Sequence, residues 1–346
     1  MLGLALAIVL AGCGGAEPAG PEQGATAAPP TTVDAAAWTK IEEAANSEGQ
    51  VTAYVSLTGM DPVFADFMKA YPKIKVTLSQ VPTADLLPRL DQELGVGAQG
   101  ADLTFHASPG WFVDNFKKGN FKTLELSPDA QKVGAAESVG KNNFAGVYGF
   151  PNVISYRTSQ PKPENLKQLL DSNPQAKIGL VDPRRSSPFV TYQYKVLQDA
   201  YGADFMQRLS KANVKIVPSN PQLTEGLASG DFDYAYPDIA SITQKVIDKG
   251  APAAIVVPND KSLAGVHYNT AILRTATHTN AAEVLANWLM SERGATSLAT
   301  HLKPAVTPAK VPGSMGWNDV TVFNVDTWTT QAQNDWIAKN FAPYFG

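Results

Sequence analysis

Cysteine is nearly absent from this sequence, which has one, Cys13, among 346 residues. A single thiol excludes an intramolecular disulfide framework and a cysteine-rich zinc site. Histidine is scarce as well: the four histidines stand at positions 106, 267, 278 and 301, without the spacing of zinc ligands. We therefore predict that the chain has no metal site and no cofactor.

An excess of charge of one sign is also lacking. The formal net charge is −4 and 44% of the residues are hydrophobic, which is a soluble, globular composition. A nucleic-acid-binding chain would carry a basic excess, so we predict no nucleic-acid partner. After the N-terminus, no apolar run reaches the length of a transmembrane helix. The roughly 310 residues after position 35 exceed a typical single domain and predict two lobes.

The common catalytic motifs are missing too, since neither GxSxG, HExxH nor a P-loop occurs. Residues 95–100 (GVGAQG) match GxGxxG, but they follow a helix-like segment and precede a strand. That order is the reverse of a dinucleotide-binding site. We therefore predict that the chain is not an enzyme, and a secreted hydrolase is the less favoured alternative.

The N-terminus is apolar and ends in the single cysteine. Residues 2–11 (LGLALAIVLA) are too short to cross a bilayer and suit the apolar part of a signal peptide. Residues 10–13 (LAGC) match the bacterial lipobox, in which the cysteine after the cleavage site is lipidated. We predict a lipoprotein signal peptide over residues 1–13, a lipid on Cys13 that anchors the protein to the cell membrane, and a flexible, Gly- and Pro-rich tether over residues 14–35. No Lys or Arg precedes the apolar run, which predicts a start codon further upstream.

Strand-like runs alternate with helix-like segments along the rest of the chain. The strand-like runs are VTAYVS (51–56), IKVTL (74–78), ADLTF (101–105), KIGLV (177–181) and FDYAY (232–236). Polar turns follow most of these runs, with the serine, aspartate and proline residues that are typical of helix starts. This order predicts an α/β fold of open mixed sheets flanked by helices, in which ligands bind at the carboxyl ends of strands.

Candidate ligand-binding side chains lie in and beside these turns. They are Ser56, Thr58, His106, Ser108, Trp111, Tyr156, Arg184, Arg185, Ser186, Ser187, Thr191, Tyr234 and Tyr236. Residues 182–188 (DPRRSSP) stand between an apolar strand and a proline-started helix, where an arginine and serine hydroxyls suit an anion. Simple solvation of the two arginines is an equal alternative. Trp111 and the tyrosines suit either core packing or ligand contact, and an isolated histidine such as His106 is more often structural.

Six segments in this order resemble the type 2 periplasmic-binding fold. They are VTAYVSLTGMDPVF, ADLTFHASPGW, GVYGFPNVISYRT, KIGLVDPRRSSP, GDFDYAYPDIAS and AGVHYNTAILRTATHTNAAEVLANWLMSERGA. More narrowly, residues 38–345 are similar to the extracellular solute-binding proteins grouped with ferric-iron, phosphonate, thiamine and polyamine binders. The segment HTNAAEVLANWLMSERG is the most specific part of the resemblance.

The resemblance implies two lobes joined by two crossing segments. Lobe one is expected over residues 36–150 and 261–346, and lobe two over residues 151–260. The crossings are expected near residues 149–156 and 257–265. The aromatic C-terminal segment is expected to dock on lobe one, and ligand binding is expected to close the lobes by a hinge motion.

The resemblance also implies an extracytoplasmic solute-binding subunit of an ABC-type importer. Its expected partners are permease and ATPase subunits, a small-molecule ligand and the membrane, and the protein is expected to be a monomer. Arg184 or Arg185 predicts a small organic anion, a carboxylate or a phosphonate with an aromatic body as one option. The alternative is ferric iron held by tyrosines, although Ala235 separates Tyr234 from Tyr236, whereas iron-binding relatives use an adjacent pair. A polyamine fits less well beside arginines, and a ligand-sensing subunit is a further alternative.

Overall fold

The computed structural model describes residues 30–133 and 143–346. The predicted signal peptide, Cys13 and the predicted tether up to residue 29 lie outside the described residues. The last part of the predicted tether is ordered instead, because Thr31–Thr32 form a strand and Asp34 caps the first helix. Within the described ranges, no helix is both long and apolar enough to span a membrane.

The described residues form strands and helices in alternation. The strands are β1 (Thr31–Thr32), β2 (Gln50–Val55), β3 (Lys75–Gln80), β4 (Leu103–His106), β5 (Glu125–Leu126), β6 (Ala145–Pro151), β7 (Val153–Arg157), β8 (Ile178–Val181), β9 (Val214–Val217), β10 (Tyr234–Asp238), β11 (Ala253–Val256), β12 (Gly265–Ile272), β13 (Ala305–Thr307) and β14 (Ser314–Gly316). The helices are α1 (Ala35–Glu48), α2 (Asp61–Ala70), α3 (Thr83–Val96), α4 (Pro109–Lys117), α5 (Pro128–Lys132), α6 (Leu166–Ser172), α7 (Pro188–Tyr201), α8 (Phe205–Ser210), α9 (Asn220–Ser229), α10 (Ala240–Ile247), α11 (Thr279–Met290), α12 (Glu292–His301), α13 (Thr330–Trp336) and α14 (Ala342–Phe345). A 3-10 turn spans Trp317–Asp319, and a π-helical turn spans Ile337–Phe341.

Lobe one is built on a seven-stranded sheet in the order β14-β13-β6-β12-β4-β2-β3. Strands β3, β2 and β4 are parallel, and β12 pairs antiparallel with both β4 and β6. Alternate residues of β2 face opposite sides of the sheet: Val51, Ala53 and Val55 pack in one apolar core and Tyr54 in another. Helices therefore cover both faces, as parallel strands require.

Lobe two is built on a five-stranded sheet in the order β11-β7-β10-β8-β9. Strands β10, β8 and β9 are parallel, whereas β7 runs antiparallel to β10 and β11. The carboxyl ends of β8 and β10 therefore lie at one edge of the sheet. The core of this lobe contains buried aromatic side chains such as Tyr194, Phe205 and Phe232.

The segment most specific to the resemblance is α11, whose polar side chains fasten other parts of lobe one. Asn280 Nδ2 donates to Glu48 Oε1 over 2.7 Å, at the end of α1. The Glu125 amide donates to Glu283 Oε1 over 2.6 Å, and the Ser127 amide donates to Asn287 Oδ1 over 2.7 Å. One helix face thus supplies the partners for backbone groups that would otherwise be buried without hydrogen bonds.

The chain crosses between the lobes at the two predicted places and at a third. The first crossing is Asn152, between β6 and β7, and the second spans residues 257–264, between β11 and β12. A third crossing follows β14: the Thr321 amide donates to the Leu263 carbonyl over 2.9 Å, and Phe323 then packs against lobe two.

The C-terminal segment docks on lobe two, so the predicted docking on lobe one is wrong. Trp328, Trp336 and Phe341 all belong to the lobe-two core. Trp336 Nε1 donates to Gln198 Oε1 over 3.1 Å, and the Phe341 ring lies 5.4 Å from Tyr194. The reason is that α7 presents an aromatic face, and these C-terminal rings cover it. The other predicted lobe boundaries stay a prediction.

Candidate functional site

A cavity of about 370 Å³ lies between the two lobes. The turn after β2, strand β6 and the end of α12 form its lobe-one wall, and one side of α10 forms its lobe-two wall. The lining residues are Leu57, Thr58, Tyr148, Phe150, Ile239, Ala240, Ser241, Gln244, Lys245, Asp248, Thr300, His301, Leu302, Lys303 and Pro304. We call this cavity the interlobe cleft.

Two lysines bring positive charge into the interlobe cleft from opposite lobes. Lys245 lies on α10 and Lys303 follows α12, and both residues are exposed. Within residues 30–133 and 143–346, neither lysine forms an ion pair. Asp248 is the one carboxylate among the lining residues that the structure describes. The charge balance of the cleft therefore favours an anion.

His301, at the end of α12, adds an imidazole to the lobe-one wall of the interlobe cleft, and Asp66 of α2 forms a hydrogen bond with it. The imidazole Nε2 lies 2.9 Å from Asp66 Oδ2, which also accepts the Ser297 hydroxyl over 2.9 Å. Lys69 donates to the other carboxylate oxygen over 2.8 Å. The hydrogen bonds from Lys69, His301 and Ser297 lower the pKa of Asp66 to about 2. Because the ionised carboxylate only accepts hydrogen bonds, His301 must carry a proton on Nε2.

Aromatic rings give the cleft an apolar surface. The rings of Tyr148 and Phe150 on β6 lie 6.3 Å apart and line the cavity side by side. The Tyr148 hydroxyl donates to the Leu302 carbonyl over 3.2 Å, and burial raises the pKa of this tyrosine. Flat apolar surfaces beside a few charged groups are typical of sites for small organic molecules.

Buried polar contacts fix the turn that carries α10 into the cleft. Asp238, at the end of β10, accepts the Ser155 hydroxyl over 2.5 Å and also the Thr243 hydroxyl. Burial raises the pKa of Asp238. Ile239 is the N-cap of α10, and no side chain of the described residues caps it. The first amide groups of α10 therefore stay available beside the cleft, where they favour negative charge.

Of the candidates on the turn after β2, Thr58 lines the interlobe cleft and Ser56 lies next to it. The Ser56 amide donates to the Phe105 carbonyl over 3.0 Å, which places the ends of β2 and β4 together. The Ser56 hydroxyl is buried and has no hydrogen-bond partner among the described residues. The ligand-binding role of both residues stays a prediction.

The candidates after β4 form an aromatic cluster instead of lining the cleft. The His106 ring stacks on Phe112 at 4.3 Å, and Nδ1 accepts the Ser108 amide over 3.3 Å. Burial lowers the pKa of His106 to about 3, so the imidazole is neutral. Trp111 packs against His106 and donates from Nε1 to Asp91 over 2.8 Å. These contacts agree with the structural alternatives for His106 and Trp111.

The anion site predicted at the DPRRSSP turn stays a prediction, and Arg184, one of its two candidate arginines, is already paired. Its Nε lies 2.9 Å from Asp182 Oδ1, and its Nη2 lies 3.0 Å from Asp182 Oδ2. A third nitrogen donates to the Gly346 backbone oxygen, and the guanidinium lies 5.6 Å from the Phe341 ring centre. Arg185 is exposed, and its side chain has no hydrogen bond or ion pair to any residue in the described ranges.

The hydroxyl groups of the same turn also face protein atoms or solvent. Ser186 Oγ donates to the Pro218 carbonyl over 3.4 Å, and the buried Thr191 Oγ1 donates to the Pro183 carbonyl over 3.4 Å. Ser187 is the N-cap of α7, but its exposed side chain does not accept an amide of that helix. A separate cavity of about 370 Å³ lies between this turn and the C-terminal helices.

The three candidate tyrosines lie inside lobe two and do not line the interlobe cleft. Tyr234 stands at the start of β10, away from its carboxyl end, and donates to the Pro161 carbonyl over 2.9 Å. The Tyr156 ring stacks on it at 6.3 Å. Tyr236 is fully buried, and burial raises the pKa of both Tyr234 and Tyr236. These contacts agree with core packing, the alternative interpretation for Tyr234 and Tyr236, and a ligand-binding role of the three tyrosines stays a prediction.

Sequence reasoning missed most of the charged and aromatic lining of the cleft. Lys245 lies in the helix after β10, so the rule that ligands bind at carboxyl ends of strands pointed to its neighbourhood. Phe150 lies within the segment predicted to cross between the lobes, and Tyr148 lies just before it. No sequence signal marked Lys303 or His301, because their position depends on how α12 packs against α2.

Comparison with known families identifies the class of protein. Residues 56–301, more than half of the chain, match the family model of the bacterial extracellular solute-binding proteins. The chain belongs to this family. Proteins of this family bind solutes outside the cytoplasm, which confirms the predictions that the chain is not an enzyme and that it acts extracytoplasmically. No curated protein sequence matches the chain significantly.

Solved structures confirm the two-lobed type 2 periplasmic-binding fold. The substrate-binding protein of an ABC transporter from Agrobacterium tumefaciens has a TM-score of 0.61 at 18% identity, over 85% of this chain and 96% of that one. AfuA from Actinobacillus pleuropneumoniae, with fructose-6-phosphate bound, has a TM-score of 0.58 at 15% identity, over 84% and 98%. Iron-bound HitA from Pseudomonas aeruginosa has a TM-score of 0.55 at 16% identity, over 75% and 87%.

Within residues 30–133 and 143–346, no cluster of three or more histidine, cysteine, aspartate or glutamate side chains is arranged to hold a metal ion. A ferric site built on Tyr234 and Tyr236 would need both phenolates to reach one ion in an accessible opening. Burial of these rings and the hydrogen bond from Tyr234 to Pro161 oppose that arrangement.

Proposed function

We propose that this protein is the solute-binding subunit of an ABC-type importer and captures a small organic anion in the interlobe cleft. The observation that carries the proposal is the presence of Lys245 and Lys303, from opposite lobes, in one cavity. The aromatic walls of Tyr148 and Phe150 suit the carbon body of the ligand. Carboxylates and phosphonates are the favoured ligand classes.

The anionic class draws support from one structural relative, because AfuA was solved with a sugar phosphate. HitA, with iron bound, keeps ferric iron as the second candidate. The second candidate is less well supported here, since raised pKa values of Tyr234 and Tyr236 oppose the phenolate form. Permease and ATPase subunits as partners, a monomeric state and a lipid on Cys13 belong to the same proposal.

The proposal is tested by a thermal-shift screen of the purified protein with carboxylates, phosphonates and sugar phosphates. A ligand at a hundred times its dissociation constant should stabilise the folded state by about 2.7 kcal/mol. Calorimetry with the ligand then compares Lys245→Met and Lys303→Met with the wild type. Each substitution removes one charge from a partly solvated site, so we expect a loss of affinity of about 5- to 30-fold.

Lys249→Met is the matched control, because Lys249 follows α10, is exposed and does not line the cleft. This variant should bind as the wild type does. If Lys245→Met, Lys303→Met and Lys249→Met all bind the ligand with wild-type affinity, the anion binds elsewhere and the assignment of the cleft is refuted.

A further inference from the structure

His301 is the third basic side chain in the wall of the interlobe cleft, and its setting differs from that of the lysines. Its side chain is 29% exposed, and Nε2 is committed to Asp66. The other ring nitrogen, Nδ1, has no hydrogen-bond partner in the part of the chain that the structure describes. Asp66 thus fixes the orientation of the ring while one ring nitrogen stays free for a ligand.

The charged groups around His301 determine whether this wall of the cleft attracts or repels an anion. Asp66 and Lys69 face it from α2, Lys303 follows it in the chain, and Lys245 and Asp248 line the opposite wall. Asp66 forms an ion pair with Lys69 and also accepts the Ser297 hydroxyl. It therefore holds the imidazole of His301 although it does not itself line the cleft. Protonation of the imidazole gives the wall a third positive charge and a second donor, N–H at Nδ1.

We propose that His301 is a ligand-contacting residue of the interlobe cleft, that Asp66 is its positioning residue, and that the pair adapts the cleft to solutes with a doubly charged oxyanion. This inference rests on the proposed function, because it assumes that an anion binds between Lys245 and Lys303. A phosphonate or phosphate ester is the corresponding ligand class. Histidine changes its charge between about pH 5 and 8, so binding of a dianion should tighten as the pH falls through this range.

Sulfate is a suitable probe, since it stays a dianion over that whole range. We would measure its dissociation constant by calorimetry on the full chain with Cys13→Ser, at several pH values. The wild type should bind sulfate roughly tenfold more tightly at the acid end of the range than at the alkaline end. His301→Gln keeps a polar side chain but cannot become charged, so its affinity should be low and independent of pH.

Imidazole NMR separates ligand contact from a merely structural role. Burial lowers the pKa of both His106 and His267 to about 3, whereas the side chains of His278 and His301 are 25% and 29% exposed and each pairs with an aspartate. His278 is the internal control, because Asp102 holds it through Nδ1 over 3.0 Å at the other end of lobe one. The two histidines should therefore show opposite neutral tautomers. Sulfate should shift the signals of His301 and leave those of His278 unchanged.

Asp66→Asn tests the positioning role. This variant should lose the fixed tautomer of His301 and bind sulfate about three- to tenfold more weakly at acid pH, although the imidazole is still present. This inference would be overturned if sulfate binding depends on Lys245 and Lys303 but not on His301. In that case sulfate would not shift the His301 signals, the dissociation constant would not change with pH, and His301→Gln would bind sulfate as the wild type does. The proposed function would still stand. Sulfate binding that is insensitive to the two lysines would overturn both, whereas no sulfate binding at any pH would overturn this inference alone.

Discussion

Arg184→Ala and Arg185→Ala test whether the DPRRSSP turn stabilises the fold or binds an anion. The anion-site hypothesis expects Arg184→Ala or Arg185→Ala to weaken ligand binding strongly. The structure instead assigns Arg184 a role in stability, because it pairs through two nitrogens with Asp182, whose side chain is 9% exposed. Hydrogen bonds from Arg184 outweigh the burial that would raise the pKa of Asp182, and the pKa lies below its usual value.

The expected magnitude for Arg184→Ala follows from what remains after the substitution. Losing one partner of a fully buried pair costs about 3–5 kcal/mol, and an exposed pair contributes at most about 1 kcal/mol. The Arg184 side chain is 33% exposed, and the amide of residue 184 still donates to Asp182 over 2.9 Å. We therefore expect an intermediate loss of about 1–2 kcal/mol in the free energy of unfolding.

The assay is denaturant unfolding of wild type, Arg184→Ala and Arg185→Ala, combined with calorimetry of the ligand that the screen identifies. Arg185→Ala should change stability by less than about 0.5 kcal/mol, as an exposed, unpaired side chain does. Both variants should keep the wild-type affinity within about a factor of three, which is less than 1 kcal/mol. Unchanged stability together with a thirtyfold weaker affinity of Arg184→Ala would refute this reasoning and restore the anion site at the turn.

Three further predictions concern the anchor, iron and pH. Cys13→Ser should release the protein from membranes in fractionation and leave ligand binding intact; equal membrane association would remove the lipoprotein prediction. Purified protein with ferric salts should develop no phenolate colour, and a stoichiometric coloured complex lost in Tyr234→Phe or Tyr236→Phe would contradict this. Burial raises the pKa of Glu283 to about 8, so the unfolding free energy should fall as the pH rises from about 4.5 through 8, with a smaller slope in Glu283→Gln.

The alternation of strands and helices was predictable because it depends on local chemistry. Strands β2, β4 and β8 follow the predicted apolar runs closely, and α7 ends at Tyr201, with Gly202 as its C-cap. Glycine at this position has a φ of 104°, a conformation that other residues rarely adopt. Not every helix start has the expected polar cap: α2 begins at Asp61 itself, and its N-cap is Met60, whose side chain makes no capping hydrogen bond.

The candidate site was only partly predictable, because side-chain partners depend on tertiary packing. Thr58 was accessible to sequence reasoning through the strand-end rule, and it lines the cleft. The partner of Arg184 is Asp182, two residues earlier, and a turn conformation decides whether such a pair forms. Tyr234 and Tyr236 share one face of β10, yet the sequence did not tell whether that face met solvent or core.

Docking of the C-terminal segment was not predictable for a related reason. Its aromatic residues indicate a buried surface, but an aromatic residue packs equally well against any complementary apolar face. The segment packs against Tyr192 and Tyr194, which lie on different sides of α7 and far away in the chain. The third crossing follows from this docking, since the chain must leave lobe one after β14 to reach lobe two.

The three crossings are hydrogen-bonded to one another, and on the proposed function this arrangement links ligand charge to hinge closure. Buried Gln193 of α7 accepts from Asn152 over 3.2 Å, accepts the Ala264 amide over 3.0 Å and donates to the Ser262 carbonyl over 2.6 Å. The Thr321 segment pairs with the second crossing. The crossings therefore form one pivot, about which a rotation of the lobes changes the separation of Lys245 and Lys303.

Two ammonium groups that approach each other repel, by about 1 kcal/mol at 4 Å in water and by more as water is excluded. On the proposed function, closure of the empty cleft is therefore opposed by the same charges that attract the ligand. An anion between the lysines turns this repulsion into attraction from both lobes, so it has a higher affinity for the closed form and shifts the population towards it. On the proposed function, a neutral solute of the same shape would fill the cleft but leave the repulsion in place, and it would close the lobes less completely.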